Sequence, residues 1–394
     1  MNARSLARAV VVAGALLTAG CSTLSSWLPS IPAPSWTWNW FGGGSRKPAP
    51  LPELAASVTP QFAWQAPIGK AGPGFAPAFA ADAVYVASAD GSLARVDPAN
   101  GRQVWRVSAG RALSAGAGAD ATIVLVGTDK GDVLAFDPNG KALWTAKVSS
   151  EVIAPPRVAE GTAVVFSGDG RVFGLATADG KTRWAYQRAN PPLTVRNTAG
   201  AVVVRGGVFF GTAGGRLVGL DLATGSVGWE SIVATPKGAT ELERIADVTS
   251  LPVVDDRRAC AAAYQGRTAC FDVVRGTPVW SRDIGSLGGV AVDAKALYVT
   301  DDAGAVHALD IATGASMWKQ DKLAGRAIGG PQIVGDHVGV VDAEGWLHLL
   351  AAVNGAYVGR IASDGSPPTS QPVATVGGAA WQSRDGTLYA VRVR

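Results

Sequence analysis

Gly304-Ala305-Val306-His307-Ala308-Leu309-Asp310, followed by Gly314 and Trp318, is one copy of a cassette that recurs along most of this 394-residue chain. An equally clear copy is Gly215-Arg216-Leu217-Val218-Gly219-Leu220-Asp221, with Gly225 and Trp229. The first begins at Asp90-Gly91 and runs through Asp97 and Gly101 to Trp105. Each reads as a hairpin turn ending in Gly, a five-residue strand, a second turn opened by Asp and closed by Gly, and a Trp four residues later. The turn glycines are Gly91, Gly131, Gly170, Gly215, Gly266, Gly304, Gly345 and Gly386, separated by 40, 39, 45, 51, 38, 41 and 41 residues. A period near 42 residues, with about four short strands in each, predicts an all-β fold, an eight-bladed β-propeller of four-stranded antiparallel blades.

Each column of the cassette has a physical reason. Apolar residues two and five places after the turn glycine, such as Leu93 and Val96 or Val133 and Phe136, suit a strand covered on both faces. Small residues between them (Ala135, Gly174, Gly219, Ala308, Ala390) are expected where blade backbones approach closely. The carboxylates of Asp97, Asp137, Asp221, Asp272 and Asp310 can accept bonds from turn amides, and the glycine that follows supplies positive φ. Trp105, Trp144, Trp184, Trp229, Trp280 and Trp318 recur once per repeat, so they are expected to be wedges between blades and not a binding stripe. The eighth cassette ends at Arg394 without an outer strand, while Gln61-Phe62-Ala63-Trp64 carries a Trp 41 residues before Trp105. The N-terminal strand is therefore expected to close the last blade, giving a propeller over residues 58–394 and abolishing exposed sheet edges.

Composition agrees. Fifty glycines, near 13% where about 7% is usual, mark a turn-rich chain, and 47% hydrophobic residues with 13 Trp can bury a large core. The net charge is +4, falling to +2 without Arg4 and Arg8, and no Lys/Arg cluster suggests a nucleic-acid partner. Those two arginines precede an apolar run, Ala9 to Leu17, and then Thr18-Ala19-Gly20-Cys21. Nine apolar residues are about half a membrane span, so residues 1–20 read as a cleaved export leader. Its end resembles a bacterial lipobox, which implies lipidation of Cys21 and, with Ser22 following, delivery to the outer membrane. Residues 21–57, rich in Ser, Pro, Gly and Ala, read as a tether. Within it Trp36, Trp38 and Trp40 suit either a membrane interface or packing on the folded domain.

The cassette Ala-x-Asp-Gly-x-Leu-x-Ala-Leu-Asp-x-x-Thr-Gly-x-x-x-Trp resembles the pyrroloquinoline-quinone-type propeller repeat. It lacks the Gly-His and Trp-Asp signatures of WD40. With the leader, the tether and eight blades, the whole chain resembles the BamB family, lipoproteins of the outer-membrane β-barrel assembly machinery. That resemblance implies a non-catalytic scaffold without a cofactor, lipid-anchored on the periplasmic face of the outer membrane. The implied partners are the POTRA domains of BamA, the other subunits, and nascent outer-membrane proteins.

The repeat stretches in two neighbouring places, at the 45- and 51-residue intervals. The additions are residues 186–198, containing Leu193-Thr194-Val195-Arg196, and residues 231–252, containing Asp247-Val248-Thr249. Both fall between a Trp strand and the next inner strand, connections that share a face with the Asp-Gly hairpins. In the family, a Leu-Ser-Leu-Arg and an Asp-Val-Asp stretch at these places contact BamA. The resemblance therefore implies Leu193, Val195, Arg196, Asp247 and Thr249 as partner-binding residues, with Thr249 replacing a second Asp. An exposed apolar pair beside a guanidinium is a common interface anchor; pinning of a long loop to its blade is the plainer use of the same residues.

Two rival readings follow from the same fold. A quinoprotein dehydrogenase site would include adjacent cysteines and a calcium site, whereas the cysteines here are Cys21, Cys260 and Cys270. A ligand-binding propeller would use the central channel, which residues such as Val202–Val204 and Val253–Val254 are expected to make apolar. His307 and His348 occupy one column on different blades and His337 stands apart, so neither a metal site nor a catalytic triad is expected. Cys260 and Cys270 flank the turn at Gln265-Gly266. A three-residue loop would let them pair, while a two-residue loop would put them out of register; an oxidising compartment favours the bond.

Overall fold

The computed structural model describes residues 48–54 and 56–393. The expected leader, Cys21, Trp36, Trp38, Trp40 and most of the expected tether lie outside the described residues. Eight four-stranded antiparallel sheets form the blades of a propeller. In chain order blades 1 to 7 span residues 78–108, 118–147, 157–187, 201–232, 253–282, 290–320 and 332–362. Blade 8 takes three strands from residues 373–393 and its outermost from Pro60–Pro67, which pairs with Thr387–Val393. The ring is thus closed by the N-terminal strand, as its Trp64 foretold.

The second and third strands of each blade are buried on both faces. Leu93, Val96, Val133, Leu217 and Leu220 are at most 3% exposed, and each such side chain contributes roughly 1.5–3 kcal/mol of transfer free energy. The apolar clusters run across blade boundaries, for example Val164 and Phe166 of blade 3 with Phe210 and Val218 of blade 4. The core is therefore a ring of inter-blade layers.

The Trp column provides the joint between blades. The indole Nε1 of Trp64, Trp105, Trp144, Trp184, Trp229, Trp280 and Trp318 donates to a backbone carbonyl of the next blade, at 2.7–3.0 Å. The ring lies against that blade's second-turn glycine. A Cβ on Gly225, at φ +70°, would stand 2.6 Å from the Trp184 ring, so both the conformation and the close approach require glycine. The small-residue column has a different cause from the one expected. Ala135, Gly174, Gly219, Ala308 and Ala390 are the cross-strand partners of Trp144, Trp184, Trp229, Trp318 and Trp64. They leave room for their own blade's indole, not for a neighbouring backbone.

A bulge just before the Trp position recurs in the outer strand of all eight blades. It leaves one residue exposed, such as Val104, Leu143, Val279 or Met317, and interrupts the edge that would otherwise accept another strand. Blade 7 has Gly359 in place of the Trp, and a Cβ there would meet the carbonyl of Val58 and the ring of Pro60. The incoming chain fills that seam: Ser57 N and Val58 N donate to Val358 O at 3.0 Å. Farther upstream, Arg360 donates to Pro52 O, and the buried Arg326, paired with Asp342 and Glu344, donates to Ala49 O. Residues assigned to the end of the tether are thus fastened to blade 7.

Candidate functional site

The two long connections leave the ring side by side, after blades 3 and 4. Leu193 is 44% exposed and Leu242, in the second connection, 61%. The tip of that connection is a local turn in which Glu243 accepts from Ala239 N and Thr240 N, and Thr240 Oγ1 accepts from Glu243 N. Arg244 completes it by donating to Gly238 O and pairing with Glu241.

Asp247 joins the connections. Its Oδ2 accepts from Val195 N at 2.6 Å and its Oδ1 from Gly214 N at 2.8 Å, so one carboxylate ties the first connection, the hairpin of blade 4 and the second connection together. Asn197 repeats the tie, its Nδ2 donating to Gly211 O and Val248 O, both at 3.2 Å. Asp247 is only 2% exposed. Burial pushes its carboxyl above the ordinary range, and the two amide bonds offset part of that rise. Asp247, expected as a partner-binding residue, is placed beneath the surface, its carboxylate bonded to backbone amides of the first connection and of the blade 4 hairpin.

Arg196 is exposed, but its guanidinium forms a two-pronged pair with Glu151, at 2.6 and 3.0 Å, from the connection before blade 3. Val195 is partly buried by the amide clasp beneath it. Together the first connection and the flanks of blades 3 and 4 enclose a cavity of about 270 Å³, lined by Ile153, Phe166, Phe210, Arg171, Arg188 and Asp247 among others. Phe210 meets Phe166 and Tyr186 edge-on at 5.2 and 5.7 Å. Thr249 does not belong to this surface. It lines the central cavity, with Oγ1 buried and unpartnered.

Glu151 and Asn197 are the residues that sequence reasoning passed over. Asn197 adjoins the quoted stretch, but Glu151 lies 45 residues before Arg196, and only the ring brings them together. The histidines remain separate: His307 bonds Asp301 at 2.8 Å in blade 6, and His348 bonds Asp342 at 2.9 Å in blade 7. Burial lowers the His348 pKa, partly offset by Asp342. Cys260 and Cys270 stand directly opposite on adjacent strands of blade 5, joined as a disulfide. Their hairpin has the three-residue loop Tyr264-Gln265-Gly266, closed by Ala263 N to Arg267 O at 2.8 Å. Gln265, at φ +48°, takes the left-handed conformation there in place of the glycine.

The repeat and the closed ring define an eight-bladed β-propeller with two long connections clasped together beside blade 4. The family model described as outer membrane protein assembly factor BamB matches residues 89–320 and 288–392. BamB of Bordetella pertussis is 38% identical over 386 residues, covering 98% of this chain and 96% of that one. The chain belongs to the BamB family of outer membrane protein assembly factors. The crystal structure of BamB from Moraxella catarrhalis superposes with a TM-score of 0.75 at 27% identity, over 80% of this chain and 95% of that one. Quinohemoprotein alcohol dehydrogenase from Comamonas testosteroni shares the fold alone, at 13% identity and a TM-score of 0.66 over 84% of this chain and 76% of that one.

Proposed function

We propose that the face built by the two long connections docks the POTRA domains of BamA, and that the chain is held at the periplasmic face of the outer membrane by lipid on Cys21. As a member of its family the chain is a non-catalytic outer membrane protein assembly factor, a component of the assembly machinery. The observation that carries the docking reading is the Asp247 clasp, which fixes Leu193 outward beside the Arg196–Glu151 pair. An exposed Leu on a backbone anchored from below keeps its position before the partner arrives, which lowers the ordering cost of binding. A bulge in every outer strand favours a scaffold over a receiver of nascent strands, since the edges such strands would extend are interrupted.

The test is capture of the periplasmic domains of BamA by the full chain and its variants. Leu193→Asp should leave thermal unfolding unchanged and weaken capture at least tenfold. Arg196→Glu places a second carboxylate beside Glu151 and should weaken it too; the exchange Glu151→Arg with Arg196→Glu restores the pair. Recovery in that double variant assigns Arg196 a positioning role, and continued loss assigns it direct contact. Undiminished capture by folded Leu193→Asp removes this face from the interaction.

A further inference from the structure

The innermost strands frame an axial cavity of about 540 Å³. Counting two residues back from each closing pair of the inner hairpin gives one residue per blade: Ala78, Gly118, Arg157, Val202, Val253, Ala291, Gln332 and Val373. Six of these eight, those of blades 3 to 8, line the cavity. The column is small or apolar apart from Gln332 and one charged residue, Arg157; of the valines expected in the channel, Val202 and Val253 line it, whereas Val203, Val204 and Val254 pack between blades.

Arg157 has nothing acidic to answer it. Its Nε donates to Ala201 O at 3.1 Å, and its two terminal amino groups have no acceptor among the described residues. The cavity lining holds no Asp or Glu. Burial alone acts on the guanidinium and pushes its pKa below the ordinary value, yet an arginine side chain does not give up its proton in a protein. In the same wall Thr249 Oγ1 and Ser250 Oγ are buried without hydrogen-bond partners. A guanidinium in a cavity wall with no counterion is left for the water of the cavity or an anionic ligand to answer. Across the cavity the wall is braced, for Gln371 Nε2 donates to Val290 O and Pro331 O and so links blades 6, 7 and 8.

We infer that the axial cavity is a binding site for a small organic carboxylate with an apolar body, its carboxylate taken by the free amino groups of Arg157 and its body packed against Val202, Val253 and Ile333. A guanidinium fork matches a carboxylate in two parallel bonds, and the surrounding valines favour an apolar remainder over a sugar or a bare inorganic ion. The cavity takes Thr198 and Thr249 from the roots of the two long connections but none of Leu193, Arg196 and Glu151, so either reading can fail without the other.

The probe is 3-phenylpropionate, titrated calorimetrically into the full chain, with 3-phenylpropanol as its uncharged twin. The acid should bind one per chain and raise the unfolding temperature, and the alcohol should bind at least tenfold more weakly. Arg157→Met keeps an unbranched stem in the cavity wall and removes the guanidinium; it should abolish the preference for the acid while capture of BamA persists. Val202→Asp, which supplies a carboxylate on the neighbouring blade, should compete with the ligand and weaken acid binding. Equal affinity of wild type for acid and alcohol, or acid binding unchanged in Arg157→Met, overturns the site. If Arg157→Met does not fold, the acid-against-alcohol comparison in wild type and the Val202→Asp titration decide it.

Discussion

Removing the Asp247 carboxylate should release two loops at once, and its size can be worked from the geometry. The side chain accepts two backbone N–H bonds at 2.6 and 2.8 Å in a site 2% exposed. Bonds to a charged acceptor contribute about 1.5–3 kcal/mol each. Against this stands the desolvation of the carboxylate, visible in its raised pKa, which the substitution relieves. The net cost of Asp247→Ala to closure of the loops is therefore about 2 kcal/mol, or roughly thirtyfold in the opening equilibrium. The assay is amide hydrogen exchange: Val195 and Gly214 should exchange about thirtyfold faster, whereas amides of the blade strands keep their rates. Asp247→Asn retains one acceptor and turns an amino group toward the other amide, so one of the two N–H groups should still lose protection. Exchange at both amides within threefold of wild type in Asp247→Ala would refute the clasp, and with it the explanation of why Leu193 stands where it does.

Gly225 and Gly110 share nearly the same φ, +70° and +73°, but an added Cβ meets Trp184 at 2.6 Å in the first case and nothing within 4 Å in the second. Gly110→Ala should cost about 1 kcal/mol for the left-handed backbone, and Gly225→Ala about 1–3 kcal/mol more for overpacking the inter-blade wedge; equal urea midpoints would refute the wedge. The Cys260–Cys270 bond closes a short loop, so Cys260→Ser with Cys270→Ser should lower stability by roughly 2–3 kcal/mol, and the oxidised wild type should show no titratable thiol from this pair. The turn carboxylates set the acid limit. Asp221, Asp272 and Asp310 lie below the ordinary range, chiefly through side-chain bonds from Thr224, Arg275 and Thr313 and then through turn amides. A depressed folded pKa stabilises above the unfolded value, about 3.9, and that contribution disappears as pH falls through the folded one. Asp247 and Asp302, raised by burial, act in the opposite sense but are fewer. The urea midpoint should therefore fall below about pH 4, and a midpoint that rises there would show the buried carboxyls to dominate.

What the chain declared by itself was everything periodic. A Gly, two strand-facing apolar residues, an Asp-Gly turn and a Trp at a period near 42 fix the blade, and eight copies with a matching Trp64 fix the ring and its closure. Each of those residues acts on neighbours within its own blade or the next, so its column in the repeat states its role. The two overlong intervals also announced, by breaking the period, where the two long connections leave the ring. The tertiary structure decided what has no period. Arg196 is answered by Glu151 because the ring sets blade 3 beside its own entry loop. Asp247 turned out to be a buried clasp because three segments converge on it, and Thr249, two residues further on, faces the axis. Arg157 became conspicuous only when its column was assembled around the cavity, where seven neighbours carry no charge. Burial and the identity of a counter-ion depend on which segments meet, and linear order carries no record of that meeting.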